Sequence, residues 1–168
     1  MRRFVRSACI GVLLLGVLAP TTSIAHPKDD ERSRFVAKLT GAEEVPPVTT
    51  QGAGLASFIL VKDGTELKFR VMVENLTDVV QAHIHLGPAG VNGPVVVFLL
   101  HPGEAAPGPF TGLLARGTAT EADLVGPLAG HPFSELVDAM LAGNTYVNVH
   151  TVAFPAGEIR GQVSVVDP

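Results

Sequence analysis

From residue 34 onward, apolar and polar positions alternate in short runs, the two-residue period of a half-buried β-strand. Phe35, Ala37 and Leu39 take one face, with Arg34, Lys38 and Thr40 opposite. A Pro-rich loop follows at Glu44-Val45-Pro46-Pro47, then a second strand over 53–62. Lys62-Asp63-Gly64-Thr65 carries a hairpin signal. The next strand alternates most clearly, with Leu67, Phe69, Val71 and Val73 inward and Lys68, Arg70 and Glu74 outward.

A separate strand is predicted over 79–86, bounded by the turn-formers Gly87-Pro88-Ala89-Gly90 and Asn92-Gly93-Pro94. Residues 95–100 are unbroken apolar and read as a buried strand. Residues 101–109, with three prolines and two glycines, read as a loop, and 111–118 as a strand. One stretch departs from the two-residue period. Leu136, Val137, Met140 and Leu141 recur at helical spacing, and Gly143 suits a C-terminal stop, which predicts a short helix near 133–142. Strands near 145–151 and 158–166 complete the pattern. The predicted fold is all-β, an antiparallel Greek-key β-sandwich or barrel of about seven or eight strands with one short helix.

The first 33 residues follow neither period. Met1-Arg2-Arg3-Phe4-Val5-Arg6 is a charged start, residues 8–19 are apolar, and Ser23-Ile24-Ala25 offers small residues for cleavage. Residues 1–25 are thus predicted to be a secretory signal peptide, too short in its apolar run for a membrane span. Residues 26–33, charged and aperiodic, read as a flexible tail, and 34–168 as the single domain. Cleavage would leave 143 of the 168 residues and remove Arg2, Arg3 and Arg6 but no acid, shifting the net charge from −4 to −7. Such a product is expected in the periplasm or outside the cell. It is a poor partner for nucleic acid, and no further apolar stretch is long enough to span a bilayer. The one cysteine, Cys9, lies in the removed segment, so any metal would be held by nitrogen and oxygen.

That leaves the candidate chemistry. In Ala82-His83-Ile84-His85-Leu86 the strand period turns both histidines to one face; in Tyr146-Val147-Asn148-Val149-His150 it turns Tyr146, Asn148 and His150 together. Neutral imidazoles suit copper and zinc. His83, His85 and His150 are therefore the predicted metal ligands, with Asn148 and Gln81 as neighbours able to orient them. The alternative is that the three imidazoles hydrogen-bond strands and loop carbonyls and hold the Gly/Pro loops in place. By strand phase all three, and Arg160 and Gln162, are expected on an outer polar face. His101 is a weaker fourth ligand and His131, before Pro132, a turn or cap residue. His26, first residue after the predicted cleavage, offers a ring and an amine to a metal. No nucleophile elbow, phosphate loop or paired acid and base appears.

Several stretches together resemble the CHRD domain, first delineated in the animal protein chordin and found in many bacterial exported proteins. They are residues 39–47, Ala82-His83-Ile84-His85 with Gly87 and Gly90, Asn92-Gly93-Pro94-Val95, and residues 143–151 followed by Pro155-Ala156-Gly157-Glu158-Ile159-Arg160-Gly161-Gln162. The resemblance spans about 35–165 and implies a β-sandwich module outside the cytoplasm, but little about activity. The function expected for the chain is that of a non-catalytic binding or structural component with a protein or glycan as partner. A looser likeness is to copper–zinc superoxide dismutases. Their His-x-His strand, later histidines and anion-guiding arginine are similar to His83, His85, His101, His150 and Arg160. The acidic zinc-site motif and the disulfide cysteines of that family are missing here, so this likeness implies at most a copper-only relative or a site that binds metal without dismutation.

Overall fold

The computed structural model describes residues 33–104 and 106–166. The predicted signal peptide, almost all of the tail, and His26 lie outside the described residues. What is described is a mostly β structure of eight strands and one α-helix. Among the described residues no helix is long and apolar enough to cross a membrane.

Strand β1 (Arg34–Thr40) sends Phe35, Ala37 and Leu39 into the core and pairs antiparallel with β2 (Ala53–Val61), Phe35 opposite Phe58 and Ala37 opposite Ala56. The hairpin at Lys62-Asp63-Gly64 turns with positive φ at all three residues and feeds β3 (Glu66–Leu86). β3 corrects the sequence reading. Two strands were expected, ending near 74 and starting near 79; the chain instead runs as one strand of 21 residues. The polar stretch between them is absorbed by bulges, with Asn75 and Asp78 at positive φ. There the partner strand β5 (Ala106–Ala119) shifts register and supplies bonds. Asn75 N–H donates to Thr111 Oγ1 (3.1 Å), and Gly108 N–H donates to Asp78 Oδ1 (2.7 Å). β5 therefore starts inside the predicted 101–109 loop. Among the described residues it pairs with no strand but β3, and its prolines sit where a missing N–H is tolerated.

The length of β3 closes the sheet. Its first half pairs with β2, its second half with β6 (Thr145–Thr151) and β4 (Val95–Leu100). Between β6 and β1 lies β7 (Ile159–Gln162), so β2, β1, β7, β6 and β3 form a barrel-like ring. A two-residue strand, β8 (Ser164–Val165), continues past Val163 along β1; the sequence suggests one strand over 158–166. Inside the ring lie Leu39, Phe58, Val71, Ile84, Val147, Val149 and Ile159, each at most 1% exposed. Helix α1 (Phe133–Leu141) packs Phe133, Leu136 and Met140 inward and ends at Gly143, φ 68°.

Candidate metal centre

Register assembles the site. β3, β6 and β7 lie side by side, and the polar phase of each faces the same way. His83 is opposite Asn148, and Asn148 opposite Arg160; His85 is opposite Tyr146, and Tyr146 opposite Gln162; Gln81 is opposite His150. The expected outer polar face is, however, not outer. His83, His85, Asn148, His150 and Arg160 are 3, 8, 3, 7 and 2% exposed. β6 is buried on both of its faces.

Loops provide the cover, and each is tied down by a polar side chain beneath it. His85 Nδ1 donates to Gly93 O (2.8 Å), and His150 Nδ1 to Pro155 O (2.9 Å). Arg160 donates to Asn92 Oδ1 (2.9 Å) and Val91 O (2.8 Å), while its guanidinium lies 3.4 Å from the centre of the Tyr146 ring. Gln162 donates to Gly87 O and Gly143 O. Asn92 in turn donates to Val45 O, drawing the Pro-rich loop over the same face. The close approach explains two glycines. A Cβ at Gly93 would stand 1.8 Å from Leu86 O, and one at Gly157, φ 130°, would meet Glu44 Oε1.

The carbonyl contacts fix the protons. His85 and His150 carry theirs on Nδ1, which leaves both Nε2 atoms as lone pairs. His83 Nδ1 donates to His150 Nε2 (3.1 Å), and the Asn148 side-chain oxygen stands 2.9 Å from that same nitrogen; with the amide turned over, its nitrogen would donate there. His83 Nε2 and His85 Nε2 are then buried lone pairs with no hydrogen-bond partner among the described residues. Burial, reinforced by the charges that His150 and His85 would carry, lowers the His83 pKa to about 3, and burial likewise lowers those of His85 and His150. All three rings are neutral at ordinary pH, the state a metal requires.

One nitrogen from each of the three rings lies within 4.8 Å of the other two, so the group could hold a metal ion. Two nitrogens held tetrahedrally about 2.1 Å from one ion lie about 3.4 Å apart. An ion reached by all three rings therefore draws the widest pair together by up to about 1.4 Å. The donor set, three neutral imidazoles with two free lone pairs, fits copper or zinc.

The other sequence candidates separate from this group. His101 is exposed and stacks on Phe98 (5.0 Å between ring centres), which itself meets His83 edge-on (4.7 Å). His131 is an exposed residue beside the start of α1, paired with Glu135 at 3.0 Å. Arg160 is tied to loop and ring rather than free to steer an anion. Two contributions escaped sequence reasoning. Tyr146, which strand phase places on the face of His150, stacks on His85 (4.7 Å, 10° between planes) and accepts from Gly93 N–H. Glu44 is 5% exposed with Oε1 unpartnered; burial raises its pKa to about 7 against the opposing pull of Arg160. The only advance signal for Glu44 was its place in the Glu-Val-Pro-Pro stretch.

Fold and site together define a barrel-like antiparallel β module with loops folded over a histidine cluster. The chain belongs to the CHRD domain family, whose model matches residues 35–163. The motif stretches of that family resemblance are those that meet here: residues 44–47, the His-x-His strand, Asn92-Gly93, and both late strands. No solved structure matches the chain significantly.

Proposed function

We propose that this protein is an exported CHRD module that holds one copper or zinc ion on His83, His85 and His150, and does so without catalysing a reaction. The observation that carries the reading is the pair of sealed, unpartnered Nε2 lone pairs on His83 and His85, beside a third imidazole within 4.8 Å. A buried polar atom without a partner is costly, and a cation is the partner this donor set suits. Burial of the nitrogens and the engagement of Arg160 leave no open path for an anionic substrate, which favours a binding role over a dismutase-like one. Binding and release of metal are then properties of the fold, coupled to the loops that cover the site.

Metal analysis of the purified protein, with calorimetric titration of zinc and copper into the metal-free form, tests the proposal. One equivalent bound at submicromolar Kd is expected, with binding lost in the His83→Ala/His85→Ala variant. At a free metal concentration 100 times Kd, bound metal should stabilise the fold by about 2.7 kcal/mol. A protein that binds neither ion at that level, or whose variant binds as well as the parent, overturns it.

A second reading rests on the His83–His150 and His–carbonyl hydrogen bonds. In it the cluster is a polar clasp that locks the loops of a partner-binding module. That reading is supported if the protein stays metal-free yet the same double variant loses its fold.

A further inference from the structure

The described residues include seven basic side chains: Arg34, Lys38, Lys62, Lys68, Arg70, Arg116 and Arg160. Arg160 belongs to the buried site, and Lys62 pairs with Glu66 at 2.8 Å. The remaining five share one surface, in a chain whose net charge is −4. Strand register places them in three parallel rows across β1, β2, β3 and β5. The first row is Arg34, Ile59, Lys68, Thr118; the second Val36, Ser57, Arg70, Arg116; the third Lys38, Leu55, Met72, Leu113.

All five cations are exposed, and among the described residues none of them forms an ion pair. Arg70 and Arg116 stand directly opposite one another on neighbouring strands, an arrangement that opposes folding because like charges repel. The acids of this face, Glu66 and Glu74, fall beyond the rows at their two ends. Between β2, β3 and β5 the surface is recessed, a groove of about 450 Å³ lined by Ser57, Ile59, Lys68, Arg70, Arg116 and Thr118. Gly117, also in the groove, bears no side chain over Phe69.

We propose that this groove binds an acidic polysaccharide, through carboxylate or sulfate groups seated on Arg70, Arg116 and Lys68. Guanidinium forks pair with such planar or tetrahedral anions through two parallel bonds. The hydroxyls of Ser57 and Thr118 stand within the same groove to meet sugar hydroxyls. The cations recur about 4.8 Å apart across strands and about 7 Å apart along β3, a spacing that rewards a chain with repeated charges. The middle of a sheet face exposes side chains and no unpaired backbone, so it offers an extended peptide no ladder to join. An anionic bilayer is disfavoured because the groove is recessed, out of reach of a broad headgroup surface but open to a single chain. This inference is independent of the metal site.

The test uses the protein exported and purified whole. Heparin (sulfated) and polygalacturonate (carboxylated) are titrated at 50 mM and 500 mM salt, with dextran as the neutral control and vesicles of mixed neutral and anionic phospholipid as the competing surface. Binding to at least one acidic polysaccharide, none to dextran, and a loss of at least about tenfold in affinity at high salt are expected. The variant Arg70→Glu/Arg116→Glu, both exposed positions, should weaken binding by at least about tenfold with an unchanged circular dichroism spectrum. Failure to bind either polysaccharide, equal binding by the variant, or binding only to the vesicles overturns the proposal.

Discussion

The two halves of β3 carry the same alternating pattern to opposite ends. In the first half Lys68 and Arg70 alternate with Leu67, Phe69 and Val71, and the polar side chains stand in water. In the second half His83 and His85 alternate with Ala82 and Ile84, and both faces are buried. One strand thus passes from a surface of free charge to a sealed cluster of neutral rings. Alternation assigns a side chain to a face; it does not say whether that face meets solvent. Here the difference is made by loops at 44–48, 87–94 and 152–158, the first and last far away in sequence, which roof one half and leave the other open.

The sharpest way to break the comparison is to lift that roof. Gly93→Ala places a Cβ within 1.8 Å of a backbone oxygen, a clash that no rotamer relieves. A loss of about 3 kcal/mol or more in unfolding free energy is expected, measured by urea titration, together with increased hydrogen exchange at residues 87–94. Lys68→Ala, on the open half, should stay within about 0.5 kcal/mol of the parent. Equal effects would mean that the roof is not what distinguishes the two halves.

Acid should separate them next. In the metal-free protein the folded histidines resist protons, His83 until about pH 3, whereas the unfolded chain takes them up below about 6.5. The unfolded state then binds more protons, and stability falls as pH drops through that window, by up to about 1.4 kcal/mol per pH unit for each excess proton. Glu44 runs the other way. Its folded pKa of about 7 lies above the ordinary value of 4.5, so lowering the pH from 7 toward 4.5 relieves a penalty. Three lowered imidazoles outweigh one raised carboxyl, so a net loss is expected. Urea midpoints at pH 7, 6 and 5 measure it; a flat profile would show that the rings are solvated. Bound metal should hold the profile flat to lower pH, until protons compete for the ligands.

How far was this legible beforehand? The strand periods located β1, β2, β4, β6 and α1 within a residue or two, because each has a one-sided or continuous apolar pattern and a turn signal at its end. The His-x-His spacing and the phase of His150 sufficed to name the three histidines. The unity of β3 was hidden, since Glu74-Asn75-Leu76-Thr77-Asp78 breaks the alternation, and its bulges are stabilised by bonds to β5 more than 30 residues away. Burial of the site was hidden for the same kind of reason. Arg160 looks like a surface cation until Val91, Asn92 and Tyr146 are seen around it. Glu44 gave no local sign of burial, because the atoms that enclose it come from the other end of the chain.

That environment makes Arg160 a direct counterpart to the arginines of the open face. Arg160→Ala removes two charge-assisted hydrogen bonds and a ring contact and leaves Val91 O without its donor. A cost of about 2–3 kcal/mol is expected. Arg160→Lys should restore little of it, because an ammonium cannot serve both acceptors in the geometry of a planar fork. Recovery by lysine in a thermal-unfolding assay would mean that charge alone matters at this position.

Arg70→Thr is the smallest and most discriminating case. Threonine suits an exposed strand position, and its introduction ends the repulsion between Arg70 and Arg116, which face each other across β3 and β5. Stability should therefore stay level or rise by a few tenths of a kcal/mol, about the size of a cross-strand pair effect. The gain should be larger at 10 mM than at 500 mM salt, where the two guanidiniums are already screened from one another. A loss of 1 kcal/mol or more would show that Arg70 stabilises the fold itself, as Arg160 does. If instead the gain is seen, removal of Arg160 on β7 costs stability while removal of Arg70 on β3 costs only a ligand, and the sealed and the open polar faces differ in just that respect.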